Sequence, residues 1–71
     1  MVFNYLMGDD LYRQAVETVM SERKASPSRV QRIMDVPYGV AAGFLARMEK
    51  EGLVSPADDI GKRIILRHLK F

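Results

Sequence analysis

Ala25–Ser55 reads ASPSRVQRIMDVPYGVAAGFLARMEKEGLVS. Ser26 is a good N-cap, and Pro27 suits the first helical position, where its missing amide hydrogen does no harm. Val30, Ile33 and Met34 then form one buried edge, with Arg29, Gln31 and Arg32 outside it. Asp35-Val36-Pro37 ends that helix, because the residue before a proline is pushed away from helical geometry. A further helix runs from about Tyr38 to Glu51. Its Ala41, Phe44, Leu45 and Met48 are spaced i, i+3, i+4, i+7 as a core stripe, and Gly52 is its stop. Two short amphipathic helices on a tight turn, followed by the strand-like pair Leu53-Val54, describe a helix-turn-helix with an attached wing. Units of this kind lay their second helix against DNA.

Upstream, Asp9 or Asp10 is placed to cap a first helix in which Leu11, Tyr12, Ala15, Val16, Val19 and Met20 fall at helical spacing. Arg23 and Lys24 suit the dipole at its C-terminal end. Downstream, Ser55 to Gly61 makes a polar turn. Lys62 to Leu69 returns as a second strand, with Ile64 and Leu66 on one side and Arg63, Ile65 and Arg67 on the other. The predicted fold class is α+β, mostly α: a winged helix-turn-helix of three helices followed by a two-stranded β-hairpin wing. Residues 1–8 form a leader, 9–69 the domain and 70–71 a tail. Val2, Phe3, Tyr5 and Leu6 make the leader apolar, either to pack on the domain or to dock elsewhere.

Seventy-one residues, 48% of them hydrophobic, allow one small core and no second domain. No Cys is present, so disulfides and thiolate metal sites are excluded, and the single His68 cannot assemble a metal cluster. No nucleophile–base pair and no carboxylate cluster points to catalysis, so an enzyme is not expected and neither is a cofactor. No apolar run approaches the roughly 20 residues of a membrane span, and MVFNYLMG lacks the basic start of a signal peptide. A cytoplasmic protein is the expectation. The formal net charge of +2 is uneven. Residues 1–22 carry one basic and four acidic side chains, whereas residues 23–71 carry ten basic and five acidic. The positive half is the helix-turn-helix half, which suits a polyanion.

Several segments taken together resemble a known family. Asp10-Leu11-Tyr12-Arg13-Gln14-Ala15-Val16, Lys24-Ala25-Ser26, Val30-Gln31-Arg32, Tyr38, Ala41-Ala42, Met48-Glu49 and Gly52-Leu53-Val54-Ser55 are similar to the gamma domain of the FtsK/SpoIIIE DNA translocases. The resemblance runs from about Asp9 to Arg67. It implies a winged helix that binds double-stranded DNA in bacterial chromosome segregation, recognising short guide sequences and touching a XerD-type recombinase. The motor is missing from this sequence: there is no G-x-x-x-x-G-K-[ST] loop, and Gly61-Lys62 lies in the wing. Met1 followed by seven residues outside the resemblance favours a free-standing relative over an excised domain.

The recognition helix departs from the family. There it resembles G-Y-N-R-A-A-R-I-I-E-Q-M-E, whose Asn, second Arg and Glu reach base edges. Gly39, Gly43 and Ala46 stand at those positions here, with Val40 in place of the first Arg. Base discrimination needs donors and acceptors, and glycine and alanine side chains offer none. The expected interface is therefore the smooth strip of Gly39, Gly43 and Ala46 with Val40 beside it, together with Tyr38 and the cations Arg29, Arg32, Arg47, Lys50, Lys62 and Arg63. Such cations bind phosphates without reading sequence. Asp58 and Asp59 at the wing tip oppose tight phosphate contact there. Tyr38 either donates to a phosphate or braces the turn, and His68 is a surface residue. The alternative is a protein-interaction module whose smooth third helix binds a recombinase, a translocase or a second copy, making a homo-oligomer.

Overall fold

The computed structural model describes residues 2–69, with side chains from Asp10 onward. It has three helices: α1 over Val2–Glu22, α2 over Pro27–Met34 and α3 over Tyr38–Lys50. All three pack against one another around one core. Tyr12, Ala15, Val16, Val19 and Met20 of α1 meet Val30 of α2 and Ala41, Leu45 and Met48 of α3, and Leu53 and Val54 close the bottom. These are the stripes that helical spacing predicts, and burying them supplies the driving force of the fold.

The ends of α2 follow local chemistry. Ser26 is extended and its hydroxyl accepts the Arg29 amide at 3.3 Å, with Pro27 in the first turn. Asp35 leaves the helix in the left-handed conformation at φ 57°. Its neighbour Val36 donates back to the Gln31 carbonyl, and Pro37 in extended geometry starts α3. Two expectations need correction. α1 does not begin at Asp9 or Asp10 but at Val2, so those aspartates lie inside the helix and the leader is its first turns. No proline interrupts residues 2–9, and Gly8 alone costs about 1 kcal/mol, too little to stop propagation. The packing of Val2, Phe3, Tyr5 and Leu6, and the tail 70–71, lie outside the described residues. Of the edge expected to be buried, only Val30 is fully so: Met34 is partly buried against the core and Ile33 is 50% exposed. It sits three residues, or about 300° of turn, from Val30 and so on the flank of a two-turn helix.

After α3 the chain reverses at Gly52, which has φ 79°, and returns as a ribbon over Leu53–Leu66. The two regular strands expected at Leu53-Val54 and Lys62–Leu69 are not formed among the described residues. One antiparallel bridge joins Val54 to Ile65. Around it, Ser55 donates to the Ile64 carbonyl and Leu66 to the Leu53 carbonyl, both at 2.8 Å. Side chains take over where a ladder would continue. The Ser55 hydroxyl accepts the Ile64 amide, and Arg63 donates to the Ser55 carbonyl. Asp58 Oδ1 accepts the amides of Ile60 and Lys62 at 3.0 and 2.8 Å. Pro56 has no amide to lend to pairing.

Candidate nucleic-acid interface

The stripe of Ala41, Leu45 and Met48 turns the opposite side of α3 to solvent. Gly39, Gly43 and Ala46 lie along that outward side, all exposed. A Cβ built on Gly39 or Gly43 would meet nothing within 4 Å. Tyr38 at 53% and Val40 at 41% exposure stand at its N-terminal end. The strip is open, apolar and without a side-chain hydrogen-bonding group.

The cations around it fall into two groups. Arg32, Lys50 and Lys62 are exposed and make no ion pair among the described residues. The other three are engaged. Arg29 Nη1 bonds Glu22 at the end of α1 at 2.8 Å. Arg63 Nη1 bonds Glu49 of α3 at 2.7 Å and the Ser55 carbonyl at 3.0 Å, which ties the ribbon to α3. Arg47 turns toward α1, its guanidinium 3.9 Å above the Tyr12 ring and its Nε 3.2 Å from Glu51. The Tyr12 hydroxyl donates to the same carboxylate at 2.5 Å. Burial, and then the Glu51 hydrogen bond, push the Tyr12 hydroxyl well above its ordinary range. The Tyr12 hydrogen bond, with Arg47 behind it, holds Glu51 below the usual carboxylate value. Arg47 thus helps fasten α3 to α1.

Of the residues expected from sequence, Arg29, Arg32, Tyr38, Lys62 and Arg63 line one groove of about 800 Å³ between the start of α2, the start of α3 and the ribbon. Gly39, Val40, Gly43, Arg47 and Lys50 lie outside that groove. Three of its cationic or titratable side chains, Arg23, Lys24 and His68, were not among the expected interface residues. The sequence signal for the first two is their position. They stand just ahead of the Ser26-Pro27 helix start, in a turn that must project from the surface. At the ribbon tip Asp58 Oδ1 accepts two backbone amides and so shapes the turn. Among the described residues, no helix is long and apolar enough to cross a membrane.

The family model described as Ftsk gamma domain matches residues 7–68. Among curated proteins, the chain is 51% identical over 59 residues to the DNA translocase FtsK of Bradyrhizobium diazoefficiens, covering 83% of this chain and 7% of that protein. It is 48% identical over 63 residues to the DNA translocase FtsK of Mesorhizobium japonicum, covering 89% of this chain and 7% of that one. The relative from Brucella melitensis, also named DNA translocase FtsK, is 50% identical over 58 residues. The chain thus spans about 7% of the length of these relatives.

Proposed function

We propose that this chain, which belongs to the Ftsk gamma domain family, binds duplex DNA mainly through the phosphate backbone, with weak or altered sequence preference. The observation that carries the reading is the outward strip of α3. Gly39 and Gly43 face open space, Lys50 ends the same helix, and Arg32 and Lys62 line the groove that Tyr38 shares at the start of α3; these three cations make no ion pair among the described residues. A slim helix side with nothing projecting from it can approach a major groove, which is wide enough to admit a helix. Once there it offers no side-chain donor to a base edge. Affinity then rests on cations that neutralise phosphates and release counterions. In this reading the ribbon is the wing of a winged helix, and Lys62 is its contribution. The domain acts as a binding module in the cytoplasm, without catalysis or cofactor, serving chromosome segregation.

The test is fluorescence anisotropy with a mixed-sequence duplex, titrated at low and at moderate salt. Micromolar binding that collapses as salt rises, with little difference between unrelated sequences, is the expected result. Absence of binding even at low salt refutes the proposal. The same open strip would then favour the second reading, in which a recombinase of the XerD type, a translocase or a second copy packs on Gly39, Gly43 and Ala46.

A further inference from the structure

The groove beside α3 carries more positive charge than the reading above requires. Arg23 and Lys24 line it from the α1–α2 turn, Arg32 from α2 and Lys62 from the ribbon. Among the described residues, no Asp or Glu lines it. Its two remaining arginines, Arg29 and Arg63, already hold Glu22 and Glu49. By contrast, Arg23, Lys24, Arg32 and Lys62 make no ion pair among the described residues. Four unneutralised charges on the walls of one concavity repel one another and focus a positive potential into it, an arrangement that a polyanion relieves. Arg23 is committed to this place by its backbone. It takes the left-handed conformation at φ 57°, which ends α1 and swings the chain toward α2, while Lys24 donates its amide back to the Val19 carbonyl.

The apolar part of the groove narrows the class of polyanion. Ile60 is 84% exposed, and Ile64 and Tyr38 are each more than half exposed, although all three line the groove. A free phosphate would make no use of them. A DNA strand presents phosphate charge and the less polar deoxyribose in alternation, and matches both. Tyr38 is also the first residue of α3, so a strand lying in the groove continues directly onto the α3 face. We infer that the groove holds the backbone of one strand of duplex DNA, with Arg23 and Lys24 as phosphate contacts beyond the helix-turn-helix and the ribbon. This rests on the DNA reading above and adds a second line of contact to it.

The experiment uses the full chain and a double variant, Arg23→Gly with Lys24→Ala. Glycine is at no disadvantage at a positive φ, so the variant loses both charges while keeping the turn. Thermal melting followed by circular dichroism is expected to show an unchanged or slightly higher midpoint. A mixed-sequence duplex is then titrated between 50 and 200 mM salt. Each phosphate contact adds about 0.9 to the slope of log affinity against log salt, so two contacts add about 1.8. Over a fourfold change in salt, wild type should therefore lose about 12-fold more affinity than the double variant. Arg13→Ala, an exposed change on α1 outside the groove, should leave the slope unchanged. If wild type binds and the double variant has the same slope, the groove assignment is overturned while backbone binding stands. If wild type does not bind duplex at low salt, both fall. If an acidic protein partner alone depends on Arg23 and Lys24, the groove serves a protein and the DNA assignment is wrong.

Discussion

Replacing Gly43 by alanine should make this domain more stable. Gly43 sits in the interior of α3, Tyr38–Lys50, and a Cβ at that position meets nothing within 4 Å. No packing cost therefore opposes the gain in helix propensity, which is about 0.8–1.0 kcal/mol for alanine over glycine. For a domain of this size, that corresponds to a midpoint about 4–8 °C higher. Gly52 and Gly61 provide the internal control. Their added Cβ atoms also meet nothing within 4 Å, yet their φ angles are +79° and +82°. An L-residue in that region costs roughly 1–2 kcal/mol, so Gly52→Ala and Gly61→Ala should lower the midpoint. The assay is thermal and urea unfolding of the three single variants at several protein concentrations. A neutral or destabilising Gly43→Ala would refute the claim that this face of α3 is open in solution. A wild-type midpoint that climbs with concentration, and ceases to do so in Gly43→Ala, would mean that another copy covers it.

Tyr12→Phe removes the hydroxyl that donates to Glu51 and should cost about 1 kcal/mol. That is below the usual range for a charged acceptor because the Glu51 side chain is 44% exposed and solvent screens it. The difference from wild type should also depend on pH. Glu51 is held below its ordinary 4.5, so its contribution is present above that value and lost as pH falls through the lowered one. Tyr12 is raised, so its contribution is complete below its ordinary 10.0 and fades as pH rises beyond it. Denaturant midpoints of the two proteins should therefore converge at both extremes, and a constant gap would count against the assignment. Arg32→Ala or Lys62→Ala should weaken binding to all duplexes alike and flatten the salt slope by about 0.9 each. Losses confined to one sequence would contradict backbone binding. Placing Asn at position 39 and Arg at position 43 by Gly39→Asn and Gly43→Arg restores donors to open positions and should raise DNA affinity in the anisotropy assay. No gain would mean that α3 does not enter a groove.

What could be read from the sequence was local chemistry. Ser26-Pro27 and Asp35-Val36-Pro37 set the limits of α2 because caps and proline act on their immediate neighbours. The stripe through Ala41, Leu45 and Met48 oriented α3 and so exposed Gly39 and Gly43, since helical spacing alone determines which residues share a side. The start of α1 is not legible in the sequence, because Asp9 and Asp10 cap a helix only if one begins there, and nothing upstream prevents an earlier start. The fate of each cation was not legible. Arg63 finds Glu49 fourteen positions away, and only the returning ribbon brings them together. Arg47 has Glu51 one helical turn on, yet its stacking on Tyr12 requires α1 to be in place. The groove is illegible for the same reason. Arg23 and Lys24 meet Lys62 and His68 only after the ribbon has folded back.

Whether a cation is paired sets the size of the DNA signal. Arg23, Lys24, Arg32, Lys50 and Lys62 hold no carboxylate among the described residues, so none there must be given up to meet a phosphate. If those five make the contacts, the slope of log affinity against log salt is about −4.5, and affinity falls roughly 500-fold between 50 and 200 mM salt. Arg29 and Arg63 could join only by exchanging Glu22 and Glu49 for phosphate. Arg63 would also lose the link that holds the ribbon to α3, where its side chain is only 15% exposed. Seven contacts would steepen the slope to about −6.3. A measured value near −4.5 therefore supports DNA settling on the unpaired cations while the folded ion pairs stay intact. A value near −6.3 would show that binding rearranges the ribbon. A slope near zero would mean that phosphates are not the partner of this surface at all.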